Sequence, residues 1–171
     1  MPRHGLFALL ALAGLLITTA DAALPRSIGD VSHVNKSIQI EDAGRAGELE
    51  TVNGSIQVGN AASIESADTV NGAIRLGDGS HARALETING SITLGARAQI
   101  ENGIETVNGS LNLGDDAEVL GSAENVNGSI VLKPRAHVGG TSRRRAEITC
   151  ADCAGLSFAC KAHKGEHSRT M

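Results

Sequence analysis

The stretch ETINGSITLG, residues 86–95, has close relatives along most of the chain. The phrase that Ile88 leads here is led elsewhere by Val34, Val52, Val70, Val107 and Val126, so successive copies lie 18, 18, 18, 19 and 19 residues apart. Asn comes next in every copy, as Asn35, Asn53, Asn71, Asn89, Asn108 and Asn127. Gly follows the Asn in all but the first copy. A fixed period of this length marks a repeat architecture, in which one unit becomes stable only against its neighbours.

The apolar residues inside one period say what kind of unit it is. Counting from Val52 as zero, they stand at +4 and +6 (Ile56, Val58), at +10 and +12 (Ala62, Ile64) and at +15 (Ala67). Two residues spaced by two point to the same side of an extended strand. The pattern therefore predicts an all-β, single-domain parallel β-solenoid (β-helix) of about six 18–19-residue coils with three short strands per coil, covering residues 31–140. The extra residue of the longer coils falls after +12, as in IENGI at 100–104, where a corner can absorb it. A helical solenoid is disfavoured, because the stripe at i, i+3 and i+4 is missing and each Gly costs a helix about 1 kcal/mol. Coils stacked about 4.8 Å apart give a rod of about 30 Å. Its core has to be aliphatic, since the chain has no Trp or Tyr and only two Phe.

In such a rod equivalent residues form columns. Asn35, Asn53, Asn71, Asn89, Asn108 and Asn127 are expected to make an amide ladder. Gly beside each Asn is expected to supply the positive φ of a corner. Thr51, Thr69, Thr87 and Thr106 form another column, and Ser55, Ser91, Ser110 and Ser129 a third. If the strand ran straight through Asn-Gly, these would make a flat outward array of small polar groups, a shape suited to ordered water or a repetitive polymer. Asn-Gly bends more often than it extends. The NGS triplets are formal glycosylation acceptors, but the repeat accounts for them without any glycan.

A carboxylate precedes each phrase after the first: Glu50, Asp68, Glu86, Glu105 and Glu124. In register they form an acidic column whose neighbours repel by roughly 1 kcal/mol in water. A row of Ca²⁺ ions would relieve this, yet the glycine-aspartate nonapeptide of calcium-binding coils is missing. Solvated carboxylates are the simpler expectation. Acyltransferases built on hexapeptide coils need a catalytic His and a loop that leaves the coils. His81 and His137 sit at different offsets with no partner recognisable in the sequence, and both read as exposed. No catalytic residue and no cofactor is expected.

The ends differ from the middle. Residues 1–22 read as a signal peptide: a basic start, the apolar run GLFALLALAGLLI and an Ala20-x-Ala22 cleavage pattern. Residues 23–30 would form a leader or N-terminal cap. Export to the periplasm, the cell surface or the medium is expected, with no transmembrane span in the mature chain. Residues 23–140 carry a net charge of −7 and residues 141–171 a net charge of +3. The acidic body gives no reason to expect nucleic-acid binding. The tail, 141–171, loses the repeat and is expected to be poorly ordered. Cys150, Cys153, Cys160, His163 and His167 in that tail have a spacing that Zn²⁺ could use. An oxidising compartment favours disulfides instead, and three Cys leave one unpaired. The abrupt change of composition is also what a shifted reading frame would produce.

The recurring T-[VI]-N-G-[SA]-[IL] phrase, followed by an aliphatic residue and Gly, resembles bacterial secreted β-solenoid repeats of the adhesin-head type. It is similar, more distantly, to the polymer-forming bactofilins. The resemblance spans about residues 31–140. It implies a structural or surface-interaction protein without known catalysis. The expected partner is an unknown protein or surface polymer or, since exposed coil ends offer unpaired strand edges, another copy added end to end as in a filament. It carries over no functional residue, and the signal sequence departs from the cytoplasmic setting usual for bactofilins.

Overall fold

Alternation of aliphatic and polar residues at +4, +5 and +6 makes one strand per coil, and these strands stack in parallel. A computed structural model describes residues 27–140, and the backbone of strands Ser142–Arg144 and Glu147–Cys150. Ile38–Ile40, Ile56–Val58, Ile74–Leu76, Ile92–Leu94, Leu111–Leu113, Ser129–Leu132 and Glu147–Cys150 form a seven-stranded parallel sheet, each strand one coil above the last. Of the remaining strands, Ser27–Ile28 and Arg45–Ala46 form a two-stranded parallel sheet, and the others build a nine-stranded parallel sheet. In His81–Asn89 and Gln99–Asn108 two strand segments run together as one strand bent around a corner. The described residues contain no helix. The chain is a β-solenoid with a period of about 18 residues.

The 19-residue coils fit because the inserted residue is absorbed where the backbone turns. Ile100 pairs with Ala82 but Gly103 with Ala84, so three steps on one coil match two on the other. This is a β-bulge inside IENGI. The next coil repeats the longer step, with Val119 over Ile100 and Ser122 over Gly103.

The interior is a set of aliphatic columns. Ile38, Ile56, Ile74, Ile92, Leu111 and Ile130 form one, and Ile40, Val58, Leu76, Leu94, Leu113 and Leu132 the next. All twelve are buried. On the second sheet two columns share the remaining space by size. Ala46 accompanies Leu49, Ile64 accompanies Ala67, and Ala82 accompanies Leu85, so in each of these coils one large side chain is matched by one small one. The alternation fills a nearly constant volume, which close packing demands. It is relaxed at Ile100 and Ile104, both large, in the coil that the bulge enlarges.

Glycine recurs for a reason other than the one expected. Among the described glycines only Gly79 (φ 62°) and Gly128 (φ 148°) have positive φ, so most Asn-Gly glycines are not left-handed. They are needed because one coil lies directly on the next. A Cβ on Gly72, Gly90 or Gly109 would fall 1.8–1.9 Å from the carbonyl oxygen of the glycine one coil below. The left-handed residues form a different column at the far corner: Ala43, Ala61, Gly79, Arg97, Asp116 and Arg135. Five of these six carry a Cβ, at a cost of about 1–2 kcal/mol each. Beside them Asp42, Asn60 and Asp78 accept hydrogen bonds from the backbone N–H of the coil above, at 2.7–2.8 Å.

Stacking extends past both expected limits of the repeat. Ser27–Ile28 pairs with Arg45–Ala46, so part of the expected leader belongs to the first coil. At the other end Ser142–Arg144 lies over Ala123–Asn125, and Glu147–Cys150 over Ser129–Leu132. The solenoid thus continues ten residues beyond 140, with Ile148 and Cys150 in register with the two aliphatic columns. Residues 1–26, 141, 145–146 and 151–171 lie outside the described part, and with them the expected signal peptide and the Cys153, Cys160, His163 and His167 set.

The two kinds of glycine are separable by mutation. Gly90→Ala is expected to cost about 3 kcal/mol, because backbone blocks the new methyl. Gly79→Ala, with open space around it, is expected to cost only about 1 kcal/mol of left-handed strain. Denaturant titration of both variants would read the difference.

Candidate functional site

In the segment that leads into each Asn-Gly corner, side chains alternate between inside and outside. In Glu48–Thr51 the pattern puts Leu49 in, Glu50 out and Thr51 in. The same alternation then sends Val52 outward. Repeated over five coils, it builds two parallel outer columns. Glu50, Asp68, Glu86, Glu105 and Glu124 are paired in register, one above another. Beside them runs an aliphatic column in which Val52, Ile88, Val107 and Val126 are 37–47 % exposed and Val70 is half-buried. The columns flank a shallow groove of about 300 Å³ that is also lined by Thr51, Thr69, Thr87 and Thr106.

The threonines do not form an outward polar array. All four are buried, and each hydroxyl donates to a backbone carbonyl about one coil earlier: Lys36, Gly54, Gly72 and Gly90, at 3.0–3.3 Å. These bonds occupy the oxygens against which the stacked glycines pack. The flat Thr-Asn-Ser face conceived from the sequence therefore does not exist, because the Thr column faces the core. Asn125 takes the Thr place in the last full coil. Its Nδ2 donates to Gly109 O at 2.9 Å and Ser129 O at 3.3 Å, while its buried Oδ1 has no partner among the described residues.

The asparagine ladder is continuous on the outside of the corner. Asn53 donates to Asn35, Asn71 to Asn53, Asn89 to Asn71, Asn108 to Asn89 and Asn127 to Asn108, each amide to amide at 2.8–3.0 Å. The serine column continues the contact, with Ser129 Oγ donating to Ser110 Oγ at 3.3 Å. A ladder of this kind fixes register, since a slip of one residue breaks every rung.

Burial, and after it neighbouring like charges, perturbs two of the carboxylates. Burial, and then the charges of Glu48 and Glu50, push Asp68 above its ordinary value, against a 3.1 Å hydrogen bond from Ser66 that acts the other way. Burial raises Glu86 as well, with Asp68 and Glu105 on either side adding to it. At the far corner Asp116 is held below its ordinary value by the hydrogen bonds of Arg135, one of them 2.7 Å. At the top of the acidic column Arg143 is the residue in register with Glu124.

The histidines differ from their expected reading. His81 Nε2 lies 3.0 Å from Glu101 Oε1, and His137 stands in register above Glu118. Neither is fully exposed. The carboxylate comes from the neighbouring coil 20 residues away, which is why the sequence hid it. Arg83 lies between Glu65 and Glu101 at 3.5 and 3.8 Å; being solvated, these pairs contribute little to stability. Among the described residues no three His, Cys, Asp or Glu side chains are grouped so as to hold a metal ion. Of the sulfur and imidazole candidates only Cys150 falls in a described strand, as backbone.

Comparison with models of protein families, with curated proteins and with solved structures finds no match to this chain.

Two measurements probe the groove. Asn125→Thr should restore the column hydroxyl and remove an unpaired buried carbonyl, raising stability by about 1 kcal/mol in a denaturant titration. Asp68 and Glu86 bind protons more readily folded than unfolded, so their contribution is full below the unfolded values and is lost as pH rises through the folded ones. The thermal midpoint should therefore rise as the pH is lowered from neutrality toward the ordinary carboxylate range. Asp68→Asn with Glu86→Gln should raise it at neutral pH and flatten that dependence. Asp116 works in the opposite sense, and only at pH below its ordinary value.

Proposed function

We propose that this chain is a non-enzymatic, exported structural or adhesive rod that engages a cell-surface or envelope component through its acid and aliphatic face. The observation that carries the reading is the pair of unbroken columns, carboxylate beside β-branched aliphatic, repeated once per coil over five coils. A face of identical short steps suits a partner that is itself repetitive. An apolar stripe left in water on an otherwise polar rod is a feature of interaction surfaces. The signal-like first 22 residues support export, and the likeness to adhesin-head repeats supports the same role. The tight coils also favour display over catalysis: the corners are short turns, and no long loop leaves the described coils to cover a substrate.

A second reading is end-to-end assembly. Val31–His33 and Ile38–Ile40 are the last strands of their sheets among the described residues, so their outer edges are unpaired there. Such edges template strand addition.

One experiment addresses the first reading. The chain expressed with its first 22 residues is expected outside the cytoplasm, and the purified protein should sediment with isolated cell envelopes. Replacement of the face by Glu86→Gln, Ile88→Thr, Glu105→Gln and Val107→Thr should abolish that sedimentation. Retention in the cytoplasm, or envelope binding indifferent to the replacements, would overturn the proposal. Sedimentation velocity across concentrations tests assembly, which predicts growing species.

A further inference from the structure

We infer that the groove between the acidic and aliphatic columns is a docking site for a cationic amphipathic helix lying along the rod axis. This names a partner for the proposed surface and rests on that reading. The face offers two chemistries at once, and the occupant has to answer both. Carboxylates on one side call for Lys or Arg. The aliphatic row formed by Val52, Val70, Ile88, Val107 and Val126 calls for an apolar stripe next to those cations. A small polyamine or a metal ion would leave the aliphatic row in water.

Spacing chooses the secondary structure of the occupant. The columns repeat at the coil separation, about 4.8 Å. A helix places residues on one face about every 5.4 Å along its axis, whereas a strand places them about every 6.6–6.8 Å. Over the four steps from Glu50 to Glu124, a helix drifts out of register by about 2.4 Å and a strand by about 8 Å. Flexible Lys and Glu side chains span the first error and not the second. The groove lies on the face of the sheet, whose backbone groups are already bonded to the coils above and below, so an incoming strand would gain no main-chain hydrogen bonds here. Charge supports the same occupant. The body from 23 to 140 carries a net charge of −7, which draws cationic partners to it. At Asp68 and Glu86 a partner's ammonium group would replace the repulsion between stacked carboxylates with attraction.

The test uses the full mature chain and synthetic peptides of about 14 residues, the length that covers about 19 Å of groove. The first peptide contains leucine and lysine patterned at the helical period; the second has the same composition in strict alternation, and the third is lysine alone. Calorimetric titration at low salt is expected to show one helical-pattern peptide bound per chain, with a rise in helical circular dichroism. The alternating peptide and oligolysine should bind at least about tenfold more weakly. Glu86→Gln with Glu105→Gln, and separately Ile88→Thr with Val107→Thr, should each weaken binding about tenfold. All four residues lie on the outer face, and an unchanged β-sheet spectrum would show that the variants fold. Equal binding of oligolysine or of the alternating peptide would overturn the inference. So would helical-peptide binding that either pair of substitutions leaves intact. If no peptide binds while the chain still sediments with envelopes in a face-dependent way, the helix is the wrong partner and the surface reading stands.

Discussion

Every other feature of this molecule depends on coils lying directly on one another with no side chain between them at the Asn-Gly corner. A Cβ on Gly90 would sit 1.8 Å from Gly72 O, so the separation there is set by backbone against backbone. That contact lets Asn89 reach Asn71 at 3.0 Å and Asn108 reach Asn89 at 2.9 Å. It also puts the Gly72 carbonyl within reach of the buried Thr87 hydroxyl. Glycine, asparagine and threonine in one phrase are thus three parts of one joint: glycine permits the approach, asparagine locks the register outside, and threonine satisfies the carbonyl inside. Each hydrogen bond contributes only about 1 kcal/mol net, but all of them require the same spacing, which makes the stack cooperative.

Exact stacking has costs as well. A column of carboxylates is forced into register, and Asp68 and Glu86 are shifted upward, first by burial and then by the charges of neighbouring carboxylates. Five residues with side chains hold left-handed backbone at the far corner. Asn125, standing where Thr is the rule, leaves a buried carbonyl without a described partner. These strains are tolerated because the aliphatic columns supply burial at about 25 cal/mol per Å² along the whole rod. The columns that repel are also the ones that give the surface its character, so the same repetition stabilises the interior and charges the exterior.

Much of this architecture was legible because a solenoid writes its contacts into its own period. Ile56 and Val58 at +4 and +6 identified a strand, and IENGI identified the place where the extra residue of Gln99–Asn108 is absorbed. The acidic column followed from the same counting. Less legible was anything that turned on direction or on partial repeats. The left-handed column carries only one glycine, Gly79, to announce it. The last coil begins inside a stretch, SRR and EITC, that no longer matches the phrase, although its backbone still pairs. His81 seemed alone because Glu101 belongs to the neighbouring coil.

By itself the amino-acid sequence determined the period, the parallel stacking and the identity of the columns, since an interval of 18 or 19 residues brings like residues together whatever path the coil follows. Only the tertiary structure decided which way each column faces. Threonine, polar, turned inward, and valine, apolar, turned outward. Residue type alone argues the reverse. The strand's alternation and the waiting carbonyl of the coil below overruled it, because an unpaired buried carbonyl costs more than a valine left in water. The groove between carboxylates and aliphatics exists as a consequence of that choice.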